Sequence, residues 1–541
     1  MSALLVLFGG NLSSEAFKPL LNGKNSVCLS VEQAQKFPGV KKTVLLARGT
    51  SLQDARGTSL QDASIGDFSS LSEVEILTSE NWTKRSMLEK IAELEAGFDC
   101  VYFAYADCPF LDPVLAGAIA ERHKRYSAEY SYADGWPYGL APEILSPGTA
   151  GILAKILGED DGQIERDILF SVIRKDINTF DIETEISPVD LRCHRINLCA
   201  DSKRNLLLLE NFINCAGRKI PVTNDVEKII EKQPEILRTL PAFYPIQVYG
   251  GCPQTCTLCP YPVYTDAVNR KDFMDFKAFE GLLDKIITFS GDAVIDLSLW
   301  GELSLYPDKL KLIEAVVSRS ELALIIETSG LGWKEDELEK CADMCKKTST
   351  RKNPLPALSW IVSLDTADPK RYAELRPCSG AFSQSGFAEA EACAKKLLAL
   401  FPEDCYVQAV RTSGCEDDTE KFYRYWKETS PRGEKNIIIQ KYDHFCGALE
   451  RKQASDISPV VRQPCWHIMR DMPILIDGTV PVCKEELKII KEHDGSLSLG
   501  NVFTDSLENI WQEGAKRYKE HCRKNYIGKC ADCDEYYTYN F

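Results

Sequence analysis

The sequence predicts an α/β protein built on parallel sheets, ending in a small cysteine-rich α+β segment. Three observations lead there. Residues 1–225 alternate apolar runs with helical-looking stretches, the pattern of an α/β layer fold. Six further apolar runs follow between Tyr244 and Gln440, with helical-looking segments between them. From about residue 455 the pattern changes to an Asp-Gly turn signal and five cysteines. At 541 residues the chain is too long for one core. The expected domains are 1–225, 240–450 and 455–541, with the charged stretch 226–243, which contains Leu240-Pro241, as a linker.

In chain order, Ser2 to Phe8 reads as a strand running into Gly9-Gly10, with Lys18-Pro19-Leu20 beyond. Lys42 to Ala47 is a second strand. Cys100 to Ala106 is a third, ending in Asp107-Cys108-Pro109. This order resembles the nucleotidyltransferase fold and its GT-A relatives. The resemblance implies that Lys18 faces a nucleotide phosphate and that Asp107 holds Mg²⁺, a cation suited to a carboxylate plus phosphates. The loop Gly-Gly-Asn-Leu-Ser-Ser lacks the further glycine and arginine of that family, so a degenerate domain without transfer chemistry is the competing reading. Tyr132 to Gly139 reads equally as a base- or sugar-facing loop and as a plain Gly/Pro turn. The octet Ala47 to Asp54 recurs as Ala55 to Asp62, a period too short for a solenoid and read as a surface-loop duplication.

The six later runs are Tyr244–Tyr249, Ala293–Trp300, Leu322–Glu327, Leu358–Leu364, Cys405–Val410 and Asn436–Gln440. Several are apolar at nearly every position, as strands buried on both faces are. Helical patterns at Phe276–Phe289, Asp308–Ser318, Glu335–Lys346, Gly386–Leu400 and Asp417–Lys427 separate them. That alternation gives a parallel sheet with crossover helices. Cys341 and Cys345, on one face of the third helix, read as core thiols.

Directly after the first run stands Gly250-Gly251-Cys252-Pro253-Gln254-Thr255-Cys256-Thr257-Leu258-Cys259. Three thiolates at C-x3-C-x2-C can grip three corners of a cubane iron–sulfur cluster, which has four irons to ligate. Glycine allows the sharp exit from the strand and proline stiffens the loop. Buried core thiols and three-quarters of a zinc site are the alternatives. The stretch resembles the radical SAM superfamily, although Leu258 stands where that family usually has an aromatic residue. The resemblance implies a partial (β/α)6 barrel of TIM type, a [4Fe-4S] cluster on Cys252, Cys256 and Cys259, and S-adenosylmethionine (SAM) at the fourth iron. It further implies SAM contacts from Gly301 and Glu302 after the second run, and from Ser363 and Asp365 after the fourth. Thr328-Ser329-Gly330, Gln408 and Arg411 lie at other strand ends, where barrel chemistry sits. For each, an ordinary cap or turn role is the alternative.

In the last segment, Asp477-Gly478 between apolar runs predicts a hairpin, with Cys465 before it and Cys483 at its end. Gly500-Asn501, Trp511, Cys522, Cys530 and Cys533 follow. This resembles the SPASM/twitch extension of radical SAM enzymes. It implies one auxiliary [4Fe-4S] cluster on Cys465, Cys483, Cys530 and Cys533, with Cys522 a spare or an alternate ligand; a zinc knuckle is the alternative. The aromatic tail from Tyr536 is expected to pack. The whole order is similar to the spirochaete spiro-SPASM group.

Net charge is −16, which argues against nucleic acid or an anionic membrane as the main partner. No apolar run is long enough to span a bilayer, and the short Leu4 to Phe8 run lacks a basic flank. An odd count of 21 cysteines fits metal ligation and buried thiols in a reducing cytoplasm better than a disulfide framework. The resemblance implies reductive SAM cleavage to a 5′-deoxyadenosyl radical, electrons from a reductase such as flavodoxin or ferredoxin, and an unknown substrate, with peptide or protein preferred over a small molecule. A nucleotidyl- or glycosyltransferase with regulatory clusters, and a non-catalytic metal-binding scaffold, are the rival classes.

Overall fold

The computed structural model describes all residues except 1, 50–70, 72, 160, 349–350, 456–457, 493–497 and 538–541. Most of the duplicated octet lies outside the described residues. The chain divides into two compact units, Met1–Thr239 and Leu240–Phe541. No described helix is long and apolar enough to cross a membrane.

The first unit is a seven-stranded sheet, and a small hairpin of β2 (Pro19–Leu21) and β3 (Lys24–Asn25) stands beside it. The sheet's strands are β1 (Ala3–Gly9), β4 (Val40–Arg48), β5 (Glu75–Ser79), β6 (Cys100–Tyr105), β7 (Tyr130–Asp134), β8 (Glu143–Leu145) and β9 (Ile182–Ile186). Their order is β5-β4-β1-β6-β8-β7-β9. All neighbours are parallel except β8, which runs against both β6 and β7. Every residue of β1 and β6 is buried, which is why both read as unbroken apolar runs. The expected linker is a correction: Thr223–Lys232 is a helix of this unit. Val226, Ile229 and Ile230 are its buried face, at the i, i+3, i+4 spacing that its charged residues masked.

The second unit holds a six-stranded parallel sheet in sequential order: β10 (Phe243–Pro245), β11 (Ala293–Asp296), β12 (Leu322–Thr328), β13 (Leu358–Ser363), β14 (Cys405–Arg411) and β15 (Ile437–Lys441). Each neighbouring pair is parallel. Helices Phe276–Ser290, Lys309–Val317, Glu335–Lys347, Gly386–Leu400 and Glu416–Thr429 fill the crossovers. This is the partial (β/α)6 barrel. Its core runs from Tyr244 and Ile295 through Ile326 and Trp360 to Val407 and Trp426. Cys341 is part of that core, and Cys345 packs against it.

Two sequence expectations are corrected here. The first barrel strand is shorter than the apolar run, because Tyr249 bridges Phe273 instead of continuing the parallel ladder. The Asp-Gly turn forms, with Leu475 N donating to Thr479 O at 2.8 Å, but it does not join two paired strands. β16 (Thr479–Pro481) pairs with β17 (Ser498–Asn501). The run before the turn is recruited to the barrel edge, where Met472 N and Ile474 N donate to Phe243 O and Pro245 O. An open edge at β10 satisfies its backbone groups there, and that outweighs the local hairpin preference.

Candidate functional site

Backbone bonds fix the cysteine loop after β10. Gly250 N donates to Asp272 O, Cys252 N to Ala267 O, Thr255 N to Pro377 O and Thr257 N to Leu375 O. Cys259 N closes a turn on Cys256 O, and Glu302 N donates to Gly251 O at 2.9 Å. The last bond lays the Gly301-Glu302 backbone directly on the loop. A Cβ at Gly301 would stand 1.9 Å from Tyr249 O, and one at Gly251 would stand 2.4 Å from Arg270 O. Both positions need glycine because backbone meets backbone.

The three thiols are half-buried and lie within one another's electrostatic reach. Burial pushes Cys259 up to about 11 and Cys256 up to about 12, and it raises Cys252 as well. A metal must therefore displace protons from them. The Arg376 guanidinium lies 4.0 Å from Cys256 Sγ and favours its thiolate.

Around this loop the strand ends form a polar crown. Glu302 is buried and accepts from Thr328 Oγ1 (2.6 Å), Ser329 N (2.8 Å), Ser329 Oγ (2.7 Å) and Ser304 N (3.3 Å). Asp365, in left-handed backbone at φ 66°, accepts from Arg376 Nε (2.6 Å) and Val410 N (2.9 Å). Ser363 Oγ donates to Glu327 at 2.5 Å, and Gln408 Nε2 donates to the same carboxylate at 2.8 Å. Arg411 is exposed at the end of β14. Sequence reasoning missed Arg376 and Glu327. Arg376 stands in the loop after the short helix Pro369–Leu375, and no spacing marks it.

The C-terminal thiols form a second group. Cys465 precedes the helix Trp466–Arg470, Cys483 follows β16, Cys530 lies in the 3-10 turn Gly528–Ala531, and Cys533 follows that turn. Cys533 is within electrostatic reach of Cys465, Cys483 and Cys530. Cys446, which sequence reasoning missed, lies within electrostatic reach of Cys533. Cys522 ends the helix Leu507–Cys522 and packs with Cys465, Tyr518 and Tyr536. Tyr536 and Tyr537 are packed as expected, and the rest of the tail lies outside the described residues. Four acids stand beside the group. Lys441 Nζ bonds Asp534 at 3.0 Å and also bonds Glu535. Burial, with Glu535 close by, raises Asp443 to about 7. Burial, with Asp443 close by, raises Glu485 as well.

Soft thiol donors in sets of three and four or five, without competing hard ligands inside each set, fit iron–sulfur clusters. The cysteines Cys252, Cys256 and Cys259 would hold one, and Cys465, Cys483, Cys530 and Cys533 the other.

The first unit has different chemistry. Asp107 is buried and takes a bidentate pair from Arg166, at 3.0 and 2.6 Å. Arg166 also reaches Asp201 at 3.2 Å and stacks over Tyr105 and Tyr138. Lys18 is exposed and paired with Glu15 at 2.7 Å. Lys18 and Asp107 thus engage separate partners. Beside Asp107, Cys108 Sγ lies 3.2 Å from Cys199 Sγ.

Residues 465–534 match SPASM, an iron–sulfur cluster-binding domain. An uncharacterized protein of Treponema pallidum (strain Nichols) is 35% identical over 373 residues, covering 69% of this chain and 98% of its own length. A second uncharacterized protein of that organism is 40% identical over 65 residues, 12% of this chain and 30% of its own. Among solved structures, Streptococcus suis SuiB bound to S-adenosylmethionine is similar at 14% identity and a TM-score of 0.36, over 66% of this chain and 79% of that one. A cytidylyltransferase from Leptospira borgpetersenii is similar at 14% identity and a TM-score of 0.34, over 44% of this chain and 95% of that one. Likenesses at that level assign no chemistry.

Proposed function

Because the chain belongs to the family of the Treponema pallidum protein of which it covers 98%, and carries a SPASM domain, we propose that it is a radical SAM enzyme. The observation that carries this reading is the three-thiol loop at the C-terminal end of the first strand of a parallel half-barrel, crowned by Glu302, Asp365 and Arg376. When bound there, a [4Fe-4S] cluster and SAM supply a 5′-deoxyadenosyl radical by reductive cleavage.

The chain's own residues do the rest. Cys252, Cys256 and Cys259 hold the cluster through thiolates, with Arg376 offsetting charge at Cys256. Gly301 lets the second strand end lie against the loop, so Glu302 is placed by backbone rather than by a flexible side chain. Glu302, Ser363 and Asp365 orient SAM, each held by its own partners, and so start from a fixed geometry. Cys465, Cys483, Cys530 and Cys533 hold the auxiliary [4Fe-4S] cluster. The substrate class we favour is a peptide or protein, with flavodoxin or ferredoxin as the electron source. We place the reaction in the cytoplasm.

In the first unit Mg²⁺ at Asp107 would have to displace the bidentate Arg166 pair. Mg²⁺-dependent nucleotide turnover abolished by Asp107→Ala is what a transferase reading requires.

The test is iron and sulfide analysis after oxygen-free purification, with SAM cleavage under dithionite. Wild type should carry about eight irons per chain, the content of two four-iron clusters. The Cys252/Cys256/Cys259 triple Ala variant should keep about half and form no 5′-deoxyadenosine. Retained 5′-deoxyadenosine in that variant refutes the assignment.

A further inference from the structure

The three-thiol loop does not complete its own seat. Two of its anchors are Ala267 O, which accepts from Cys252 N at 2.9 Å, and the Tyr261 hydroxyl, which donates to Gly250 O at 2.9 Å. Gln247 Nε2 donates to that hydroxyl at 3.0 Å and to Trp300 O at 2.7 Å. The Trp300 ring stacks on Tyr261 with centroids 6.0 Å apart, and Trp300 immediately precedes Gly301.

Both anchors pack on a residue of the SPASM segment. Tyr261, Ala267 and Leu487 form one buried apolar cluster, and Cys252, Cys259 and Trp300 lie against it. Leu487 is 0% exposed there. It stands four residues after Cys483, and the chain between them is tightly folded. Glu486 N donates to Cys483 O at 3.1 Å, and Leu487 N donates to Glu485 O at 2.9 Å.

A second strap runs beside the first. Lys529, the residue before Cys530, donates from Nζ to Glu485 O at 2.9 Å and pairs with Glu486 at 3.4 Å. The same ammonium lies 5.9 Å from the centroid of the Tyr264 ring, at the end of the short helix Tyr261–Tyr264 that follows Cys259. Cys483 and Cys530 are therefore each joined to the three-thiol loop by short lengths of chain and direct contacts. A close-packed interior transmits a displacement because it has few voids to absorb one. A shift of Cys483 moves Leu487, then Tyr261 and Ala267, then Gly250 and Cys252.

We infer that Leu487 is a positioning residue of the SAM site: it seats the three-thiol loop through Tyr261 and Ala267, and it ties that seat to the second thiol group through Cys483. The two groups of thiols then form one coupled device, in which the state of the SPASM segment sets the loop that receives SAM. The inference rests on the radical SAM reading above.

The experiment is a double-mutant cycle on the full chain reconstituted with iron and sulfide, using Cys483→Ala, Leu487→Ala and the two together. SAM affinity is read by equilibrium dialysis, and the protection of residues 249–268 by hydrogen exchange. Each single variant should weaken SAM affinity about tenfold and lower that protection. The double variant should lose no more than either alone, because both substitutions cut the same link. Leu487→Met, which keeps the side-chain volume, should bind SAM as wild type does. Leu397→Ala truncates an equally buried leucine in the helix Gly386–Leu400; it should lower stability and leave SAM affinity unchanged. If Leu487→Ala does not fold, Leu487→Val takes its place in the cycle. Losses that add in the double variant would make the two residues independent and overturn the inference. So would wild-type affinity in either single variant, or an equal loss in Leu397→Ala, which would reduce Leu487 to core filling. A wild-type chain without iron, or one that holds iron and binds no SAM, would instead sink the radical SAM reading itself, and the inference with it.

Discussion

Gly301→Ala is the sharpest probe of how the site is built. A Cβ there would stand 1.9 Å from Tyr249 O, 3.0 Å from Tyr249 C and 3.4 Å from Gly251 O. A carbon approaches a carbonyl oxygen no closer than about 3.3 Å even in a favourable C–H···O contact. The Tyr249 carbonyl and the Gly301 backbone must therefore separate by roughly 1.4 Å. Neither is a side chain that can swing aside. The Glu302 N to Gly251 O bond, now 2.9 Å, lies in the path of that movement. Overpacking of this kind costs about 1–3 kcal/mol. In the unit Leu240–Phe541 that lowers Tm by roughly 1.5–2 °C per kcal/mol. The functional effect should be larger, because a misplacement of about 1 Å costs on the order of a hundredfold in rate. The assay is anaerobic SAM cleavage under dithionite, alongside thermal unfolding and iron content. We expect a folded, iron-bearing protein whose 5′-deoxyadenosine formation falls about a hundredfold. Wild-type cleavage at wild-type stability would refute the claim that backbone contact at Gly301 places Glu302.

Arg376→Met should destabilise the protein by about 3 kcal/mol, since it leaves the buried Asp365 carboxylate without its cation. The Arg376→Met/Asp365→Asn double variant should recover much of that loss in urea unfolding, whereas simple additivity would mean that the pair is not coupled. His123 is buried between Ser131 Oγ (2.9 Å) and Ser146 Oγ (3.1 Å), and burial lowers its pKa to about 4. Its folded pKa lies below the unfolded value of about 6.5, so the unfolded chain binds the extra proton; stability is full above pH ~6.5 and falls by up to roughly 3 kcal/mol as pH drops through ~4. Denaturant unfolding at pH 7 and pH 5 should show this loss, and His123→Gln should flatten the slope; an unchanged slope in that variant would assign the loss to other groups. Ser329→Ala removes one of the four donors that occupy Glu302. If Glu302 meets the SAM ammonium directly, the freed acceptor should leave SAM affinity equal or tighter by equilibrium dialysis, and a tenfold loss would instead make Glu302 a brace for the β12 end.

What could be read from the sequence was whatever depends on neighbours in the chain. β12 and β13 announce themselves because a strand buried on both faces must be apolar at nearly every position, and Leu322–Thr328 is such a run. The loop at Cys252, Cys256 and Cys259 has its spacing written in one turn of chain. The Asp477-Gly478 hairpin failed for a reason no local pattern contains. The edge of β10 offered the run before the turn better hydrogen bonds than β16 did, so β16 took β17 instead. The helix Thr223–Lys232 was hidden by charge, although Val226, Ile229 and Ile230 carried its period.

The residues that complete each candidate site were illegible for one shared physical reason. Arg376 reaches Cys256 from a loop far along the barrel, and Cys446 reaches Cys533 from the end of the sixth strand. Each is brought in by a loop that the tertiary fold delivers, which sets neighbours across elements and not by spacing along one. The same argument explains why Lys18 and Asp107, chosen by their order in the chain, engage Glu15 and Arg166. A buried carboxylate takes the cation that the fold delivers with the best geometry, and the bidentate Arg166, stacked between Tyr105 and Tyr138, meets that condition as the exposed Lys18 does not. A ligand competing for Asp107 therefore has to outbid an ordered guanidinium. A ligand arriving at Cys252, Cys256 and Cys259 has only thiol protons to displace. That asymmetry is the physical ground for placing the chemistry in the second unit.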